Sequence, residues 1–348
     1  MRVRRLRRLF SALKSRTTSV CLWFFYFFVV LGSTFKERIS HTPGLPAVIP
    51  TPTTNAHVPL RPCWSQQPNS FMKSHLDRSM FTKIQCGTSR AKKLTIAMIY
   101  YEDADYLRGH IESWLTLPAY ITDQLIFLIV DDGSQFDPAQ RIIKRFGTLT
   151  ALSDIISLTL LRVRDDIPWN IGGARNLVAS QITTRYFFLI DAHILIPLQL
   201  FYSLLNMTHE AENYRIQSGI ETVYTHFPTR MPSGDEYIHK PHPAIILISA
   251  AAYWMAGGCD EDFVGHYGST DPHFRWRLAR TEGIRVLNVN ATLSGIPFLH
   301  QVERENPFRL DRNKTRNARL FAQKRSGDIP WSCTYIRFNW SLVSEFCQ

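Results

Sequence analysis

Asp191 and His193 stand two residues apart, directly behind the apolar run Tyr186-Phe187-Phe188-Leu189-Ile190. Side chains of a strand alternate between its faces, so the carboxylate and the imidazole point the same way. An oxygen and a nitrogen donor at the end of a buried strand suit a divalent cation such as Mn²⁺. A second acidic strand end lies upstream, where the apolar stretch Leu125 to Val130 runs into Asp131-Asp132-Gly133-Ser134. In an open α/β sheet, ligands bind beyond the carboxyl ends of the strands, so two acidic ends mark one crevice. A single such end fits a turn cap equally well, since Asp and Gly are turn residues. The pair favours the crevice.

The elements that must hold these groups follow from the surrounding pattern. Leu94 to Tyr101 reads as a first buried strand closed by Glu102-Asp103, and Tyr106, His110, Ile111, Trp114 and Leu115 fall on one face of a following helix. After the strand at Leu125, Pro138 to Phe146 has a proline near its first helical turn, and Ile156 to Val163 is a third strand. Ala174 to Gln181 reads as helical before the fourth strand at Tyr186. This alternation predicts an α/β fold with a sheet that is mainly parallel in its N-terminal half. Gly172-Gly173 before a helix that opens with Arg175 lets backbone approach a ligand, and a helix start favours anions. Arg175 could then meet a diphosphate bidentately. An ordinary helix start with a surface arginine accounts for the same residues.

The net charge of +11 is concentrated at one end. Residues 1–16 hold seven basic side chains and no acid, so the high charge is poor evidence for nucleic-acid binding. Thr17 to Phe35 carries no charge, a length that nearly crosses a hydrocarbon core of about 30 Å. The basic flank predicts a cytoplasmic tail (1–16), a transmembrane signal anchor (17–35) and a type II orientation with the bulk of the chain luminal. A cleaved signal peptide is the other reading of the same stretch, given Gly32-Ser33-Thr34. Residues 36–91 form a proline-rich stem, and 92–348 suffice for one large domain. Cys63 with Cys86 and Cys333 with Cys347 are plausible disulfides, leaving Cys259 free. Sequons at Asn206, Asn290, Asn313 and Asn339 agree with a luminal domain.

Taken in order, Asp131-Asp132-Gly133-Ser134, then Gly173-Ala174-Arg175-Asn176, then Phe188-Leu189-Ile190-Asp191-Ala192-His193 resemble the nucleotide-sugar half of a GT-A glycosyltransferase, most similar to family-2-type enzymes. The resemblance implies that Asp132 with Asp131 reads uracil, that Glu102 lies near the base and that Asp191 lies at the metal. His193 stands where a second Asp is usual, as in the similar Asp-Ala-His form of polypeptide N-acetylgalactosaminyltransferases. Further on, Gly257-Gly258-Cys259-Asp260-Glu261 and Thr270-Asp271-Pro272 followed by Arg277-Leu278 resemble a block of galactosyltransferase-like and chondroitin-polymerase-like domains. By that resemblance Gly258, Asp260 and Glu261 face the acceptor and Asp271 is the catalytic base. The residue types alone also read as a solvated turn and as a helix start, with Asp271 as N-cap and Pro272 first in the helix. His300, in a segment similar to the C-terminal part of β-1,4-galactosyltransferases, would complete a metal shell with Asp191 and His193.

The whole is expected to be a Golgi membrane enzyme that moves a sugar from a UDP-sugar to a glycan or glycoprotein hydroxyl. Mn²⁺ or Mg²⁺ is the expected cofactor and inversion the expected stereochemistry. Two alternatives stay open: a retaining N-acetylgalactosaminyltransferase-like enzyme, suggested by His193, and a catalytically silent glycan-binding relative.

Overall fold

The computed structural model describes residues 92–146, 152, 155–233, 236–289, 295–301 and 311–346. The expected tail, anchor and stem, Cys63, Cys86, Cys347 and the Asn290 sequon lie outside these residues. Among the described residues no helix is long and apolar enough to cross a membrane.

The first strand, β1 (Leu94–Tyr100), is buried along nearly its whole length because both faces of the sheet are covered. It pairs in parallel with β2 (Leu125–Asp131) on one side and with β4 (Tyr186–Asp191) on the other. β3 (Leu158–Val163) lies parallel beyond β2. The spatial order β3-β2-β1-β4 reverses direction of travel at β1, which is where a crevice opens at the carboxyl ends. β2 ends on Asp131, β4 ends on Asp191, and Glu102 follows β1, so the acidic groups of interest sit on one rim.

Beyond β4 the sheet becomes mixed. β9 (Ile246–Ser249) runs antiparallel to β4, and β6 (Glu221–Thr225) and β10 (Ile284–Asn288) complete that edge. The C-terminal strand β12 (Trp340–Phe346) closes the other edge antiparallel to β3. A smaller sheet, in the order β5-β11-β7-β8, is built from β5 (Ile194–Leu195), β7 (Pro228–Ser233), β8 (Glu236–Pro241) and β11 (Leu299–Gln301).

Alternation along β1 sorts the core into two layers. Leu94, Ile96 and Met98 join Leu107, Ile111 and Trp114 of α1 (Ala104–Leu115), Ile142 and Ile143 of α2 (Ala139–Lys144), and Phe201 and Leu204 of α4 (Leu198–Ser218). Ala97 faces the opposite layer, with Leu177 and Val178 of α3 (Ile171–Gln181), Ala252 and Tyr253 of α5 (Ala250–Met255), and Phe274 of α6 (Thr270–Leu278). A last helix, α7 (Thr315–Ser326), packs through buried Asn317 and Lys324. Cys259 is free and buried, whereas Cys333 is disulfide-bonded; its expected partner lies outside the described residues.

Two local expectations need correction. Helix α3 begins at Ile171, so Gly172 and Gly173 lie inside its first turn rather than before it. A Cβ on Gly173 would collide with the Asn170 amide oxygen and the Phe338 ring, and one on Gly172 would meet Thr270 Cγ2 at 3.3 Å. The glycines serve close packing, and that helix start is covered by protein. Helix α6 begins at Thr270 with Ser269 as its N-cap at φ 65°, so Asp271 is inside the first turn and is not the cap.

Candidate active site

The β4 end gathers three residues of metal-binding type. Asp191, His193 and His242 each offer a ligand atom, and these atoms lie within 4.8 Å of one another. Opposite ligands of an octahedral cation at roughly 2.1 Å are about 4.2 Å apart, so small side-chain movements let the three share one ion. One carboxylate and two imidazoles suit Mn²⁺, and three further positions would remain for diphosphate or water oxygens. His242 comes from the connection between β8 and β9, where its backbone N–H donates to Phe227 O at 3.3 Å. Its Nε2 faces Asp191 Oδ2 at 3.8 Å. Burial holds its imidazole below the ordinary histidine range, against the pull of Asp191.

His300 is not part of this cluster. It sits exposed on β11 opposite Leu195 of β5, with its imidazole lowered by partial burial and by Arg230. The Pro241-His242-Pro243 connection brings His242 to Asp191 in its stead.

The turn between Asp191 and His193 is fixed from behind. His110 of α1 donates through Nε2 to Ala192 O at 2.8 Å, and burial lowers its imidazole to about 4. A neutral ring with its proton on Nε2 therefore holds the backbone between Asp191 and His193. Its packing against Trp114 keeps it there.

Arg175 joins this metal corner to the expected base. Its guanidinium is only 5 % exposed and contacts Asp271 Oδ1 through NH1 and Asp191 Oδ1 through NH2, the latter at 3.6 Å. Burial alone would lower the guanidinium; the two carboxylates overcome it and hold it charged. Burial alone would likewise raise the Asp191 carboxyl, but Arg175, His242 and His193 bring it below the usual carboxylate range. Asp271 remains 28 % exposed, and its Oδ2 has no hydrogen-bond partner among the described residues. One oxygen is thus oriented by the buried arginine and the other is free to meet a hydroxyl. Arg175 was expected at the diphosphate; its observed place is beneath the two acids.

The first acidic cluster divides its work. Glu102 accepts from Phe136 N at 2.8 Å, Asp137 N at 2.7 Å and Gln135 N, so its carboxylate shapes the loop after β2. Asp131 accepts from Ser134 N at 2.9 Å and Ala139 N at 2.8 Å, fastening the same loop and the start of α2. Both were expected near the nucleotide, and both carboxylates are taken up by backbone N–H groups. Asp132 differs. Among the described residues its carboxylate has one hydrogen bond, from Asn170 Nδ2 at 2.8 Å. Burial, with Asp131 and Asp166 nearby, pushes it up to about 7 despite that bond.

The Gly257-to-Asp262 turn faces inward. Gly258 takes φ 58°, and an added Cβ would stand 2.9 Å from Asn176 Oδ1 and from Trp254 Cζ3. Asp260 accepts from Asp262 N at 3.0 Å and Ser332 N at 3.1 Å, and its Oδ2 lies 2.9 Å from Lys324 Nζ. Glu261 accepts from Asn176 Nδ2 at 2.7 Å and from the Ile336 and Arg337 amides at 2.6 and 3.1 Å. Neither acid forms a solvated turn or an open acceptor surface; both are buried and tie this turn to the C-terminal segment. From behind, Asn317 Nδ2 holds the carbonyls of Phe263, His266 and Gly268 at 2.8–2.9 Å, which sets the loop that delivers Asp271.

Sequence reasoning missed His242, Asn170, Asn176 and Lys324. A histidine between two prolines just ahead of an apolar strand was the one available signal for His242.

Residues 95–246, from β1 to the start of β9, match the family model described as glycosyl transferase family 2. The match spans both acidic strand ends and the Asp191 turn, so this segment of the chain is similar to that family. No curated protein matches the chain. Among solved structures it is similar to residues 1–349 of TarS from S. aureus, at 12 % identity and TM-score 0.42 over 60 % of each chain. It is also similar to the mannosyltransferase PcManGT from Pyrobaculum calidifontis in complex with GDP-Man and Mn²⁺, at 14 % and 0.44 over 69 % of this chain and 64 % of that one. GalNAc-T7 with UDP, GalNAc and Mn²⁺ is similar at 10 % and 0.46, over 64 % of this chain and 45 % of that one. The chain thus spans less than two thirds of each of these proteins.

Proposed function

We propose that this chain transfers a sugar from a UDP-sugar to a hydroxyl of a glycan or glycoconjugate, with inversion at the anomeric carbon. The observation that carries this reading is the single buried arginine that touches both Asp191, in the metal-type cluster, and Asp271. It ties the donor's leaving-group side and the acceptor's base to one rigid group.

In this reading Asp191, His193 and His242 hold Mn²⁺ or Mg²⁺, with His242 in the place first expected for His300. When bound, the cation offsets charge on the departing diphosphate. Asp132, backed by Asn170, receives the uracil, while Glu102 and Asp131 hold the loop around it. Asp271 Oδ2 takes the proton of the acceptor hydroxyl as its oxygen bonds to the anomeric carbon and the bond to UDP breaks. Arg175 keeps the Asp271 carboxylate aimed, and alignment of donor and acceptor in one crevice supplies much of the rate. Gly258, Asp260 and Glu261 support the acceptor wall from beneath it. We further propose a type II membrane enzyme of the Golgi, with the catalytic domain in the lumen.

Release of UDP from a panel of UDP-sugars, with Mn²⁺ and with EDTA, tests the activity, and NMR of the product tests its stereochemistry. Metal-dependent release with an inverted product is expected. A retained configuration removes Asp271 as base, and no release or transfer from any donor leaves a glycan-binding relative.

A further inference from the structure

A second set of residues stands next to Asn170 and on the loop that leads to Asp271. Trp169 and Tyr267 meet with ring centroids 4.5 Å apart, both half-buried. They belong to different walls. Trp169 immediately precedes Asn170, the partner of Asp132, while Tyr267 lies on the loop that leads to Asp271. The two walls are fastened by a bond from Gly265 N to Pro168 O at 3.0 Å. Trp169 Nε1 donates to Asp311 O at 2.7 Å, which brings the approach to α7 against the pair. Arg312 Cζ and Lys314 Nζ then stand 5.8 and 5.4 Å from the centre of the Tyr267 ring.

The charge here is one-sided. Residues 311–326 hold six cationic side chains and one acid. Lys324 is matched by Asp260 and Asp262, and Arg316 bonds to Asp262 O. Arg312 and Lys314 are exposed and pair with no acid among the described residues. They also crowd the start of α7, whose cap is Lys314 without a side-chain hydrogen bond and whose first turn has no acid. A helix N-terminus already carries partial positive charge, so cations there repel it and each other.

We propose that Trp169, Tyr267, Arg312 and Lys314 form an acceptor subsite for a glycan that carries a negative charge: a uronate, sulfate or phosphate group. This rests on the glycosyltransferase reading above. Aromatic faces offer an apolar platform to the carbon face of a sugar ring, and the adjoining cations select its anionic substituent. A nucleotide diphosphate is the other anion that reaches this crevice. Its base can stack on an aromatic ring as a sugar can, so titration with UDP separates the two ligands.

The test uses the full chain in detergent with Mn²⁺, in a Thr315→Ala background that removes the Asn313 sequon and leaves Asn313 in place. Binding is read on an array that presents sulfated, phosphorylated, uronate-containing and neutral glycans, beside calorimetric titration with UDP. Charged glycans should dominate, with signal that falls as salt rises. Arg312→Ala/Lys314→Ala should lose about tenfold of that binding, the scale of two exposed charge contacts, with UDP affinity unchanged. Tyr267→Ala should weaken charged and neutral glycans alike. Preference for neutral glycans, binding to none, or charged-glycan binding untouched by the double variant overturns the proposal. A fall in UDP affinity in the double variant overturns it as well and assigns the cations to the donor. Absence of Mn²⁺-dependent UDP binding in the unaltered chain is a separate result: it removes the glycosyltransferase reading and leaves the glycan selectivity to stand on the array.

Discussion

Arg175→Met removes the positive charge from between Asp191 and Asp271 while keeping most of the apolar volume. At the observed 3.6 Å to Asp191, attraction at an effective dielectric near 20 is about 4–5 kcal/mol, and the Asp271 contact adds to it. Desolvation of the guanidinium offsets much of that gain in the intact protein, but removal of the arginine leaves two part-buried acids facing each other. The carboxylates are 23 % and 28 % exposed, so the loss is set below the usual range for a broken buried pair, at about 2–3 kcal/mol. For a domain of this size that is a fall in Tm of roughly 4–10 °C. The pH dependence has a definite sign. Asp191 is lowered in the folded state, so its contribution is present above the unfolded carboxyl value and is lost as pH falls through the lowered one. The variant should therefore lose most near neutral pH and converge with the parent in acid. Mn²⁺ should restore more stability to the variant than to the parent, because the cation replaces the missing counter-charge at Asp191. Thermal unfolding from pH 7 to pH 3, with and without MnCl₂, reads all of this. Equal Tm values at pH 7, or equal gains from Mn²⁺, would refute the reasoning.

Other perturbations separate the remaining roles. Asp271→Asn should leave Mn²⁺-dependent UDP binding intact while turnover falls by about 10²–10⁴-fold; near-normal turnover ends its role as base. Lys324→Met removes an ammonium with 0 % exposure from between Asp260 and Asp262 and should cost about 3–4 kcal/mol by urea denaturation; an unchanged midpoint would show that this lock is idle. Asp132 is raised in the folded state, so it favours folding fully below the unfolded carboxyl value and loses that contribution as pH climbs to about 7. Asp132→Asn should accordingly gain up to about 4 kcal/mol relative to the parent at pH 8 and nothing at pH 3. A difference that is flat with pH speaks against the raised carboxyl.

The donor half of the fold was legible because it is local. Each of β1 to β4 is a largely apolar run, β2 and β4 end on an aspartate, and their parallel order follows from the helices between them. The use made of each acid was not legible. Glu102, Asp131 and Asp132 are alike in type and each stands at a strand end, yet two are consumed by backbone N–H groups and one is not. That difference depends on the path of the loop at 133–139, which residue spacing does not reveal. Asp260 and Glu261 were read as facing acceptor or solvent because their partners, Lys324 and Asn176, are distant in the chain. His242 escaped for the same reason: the second sheet folds it over the β4 end. Gly172-Gly173 misled because a glycine pair reads the same whether a ligand or a phenyl ring presses on it.

The account stands on which histidine completes the metal cluster beside Asp271. Mn²⁺ titration of the full chain, followed by electron paramagnetic resonance in the presence of UDP, measures this for His242→Ala and His300→Ala side by side. Loss of high-affinity Mn²⁺ in His242→Ala with near-parental binding in His300→Ala is the predicted result. Parental binding in His242→Ala would contradict it.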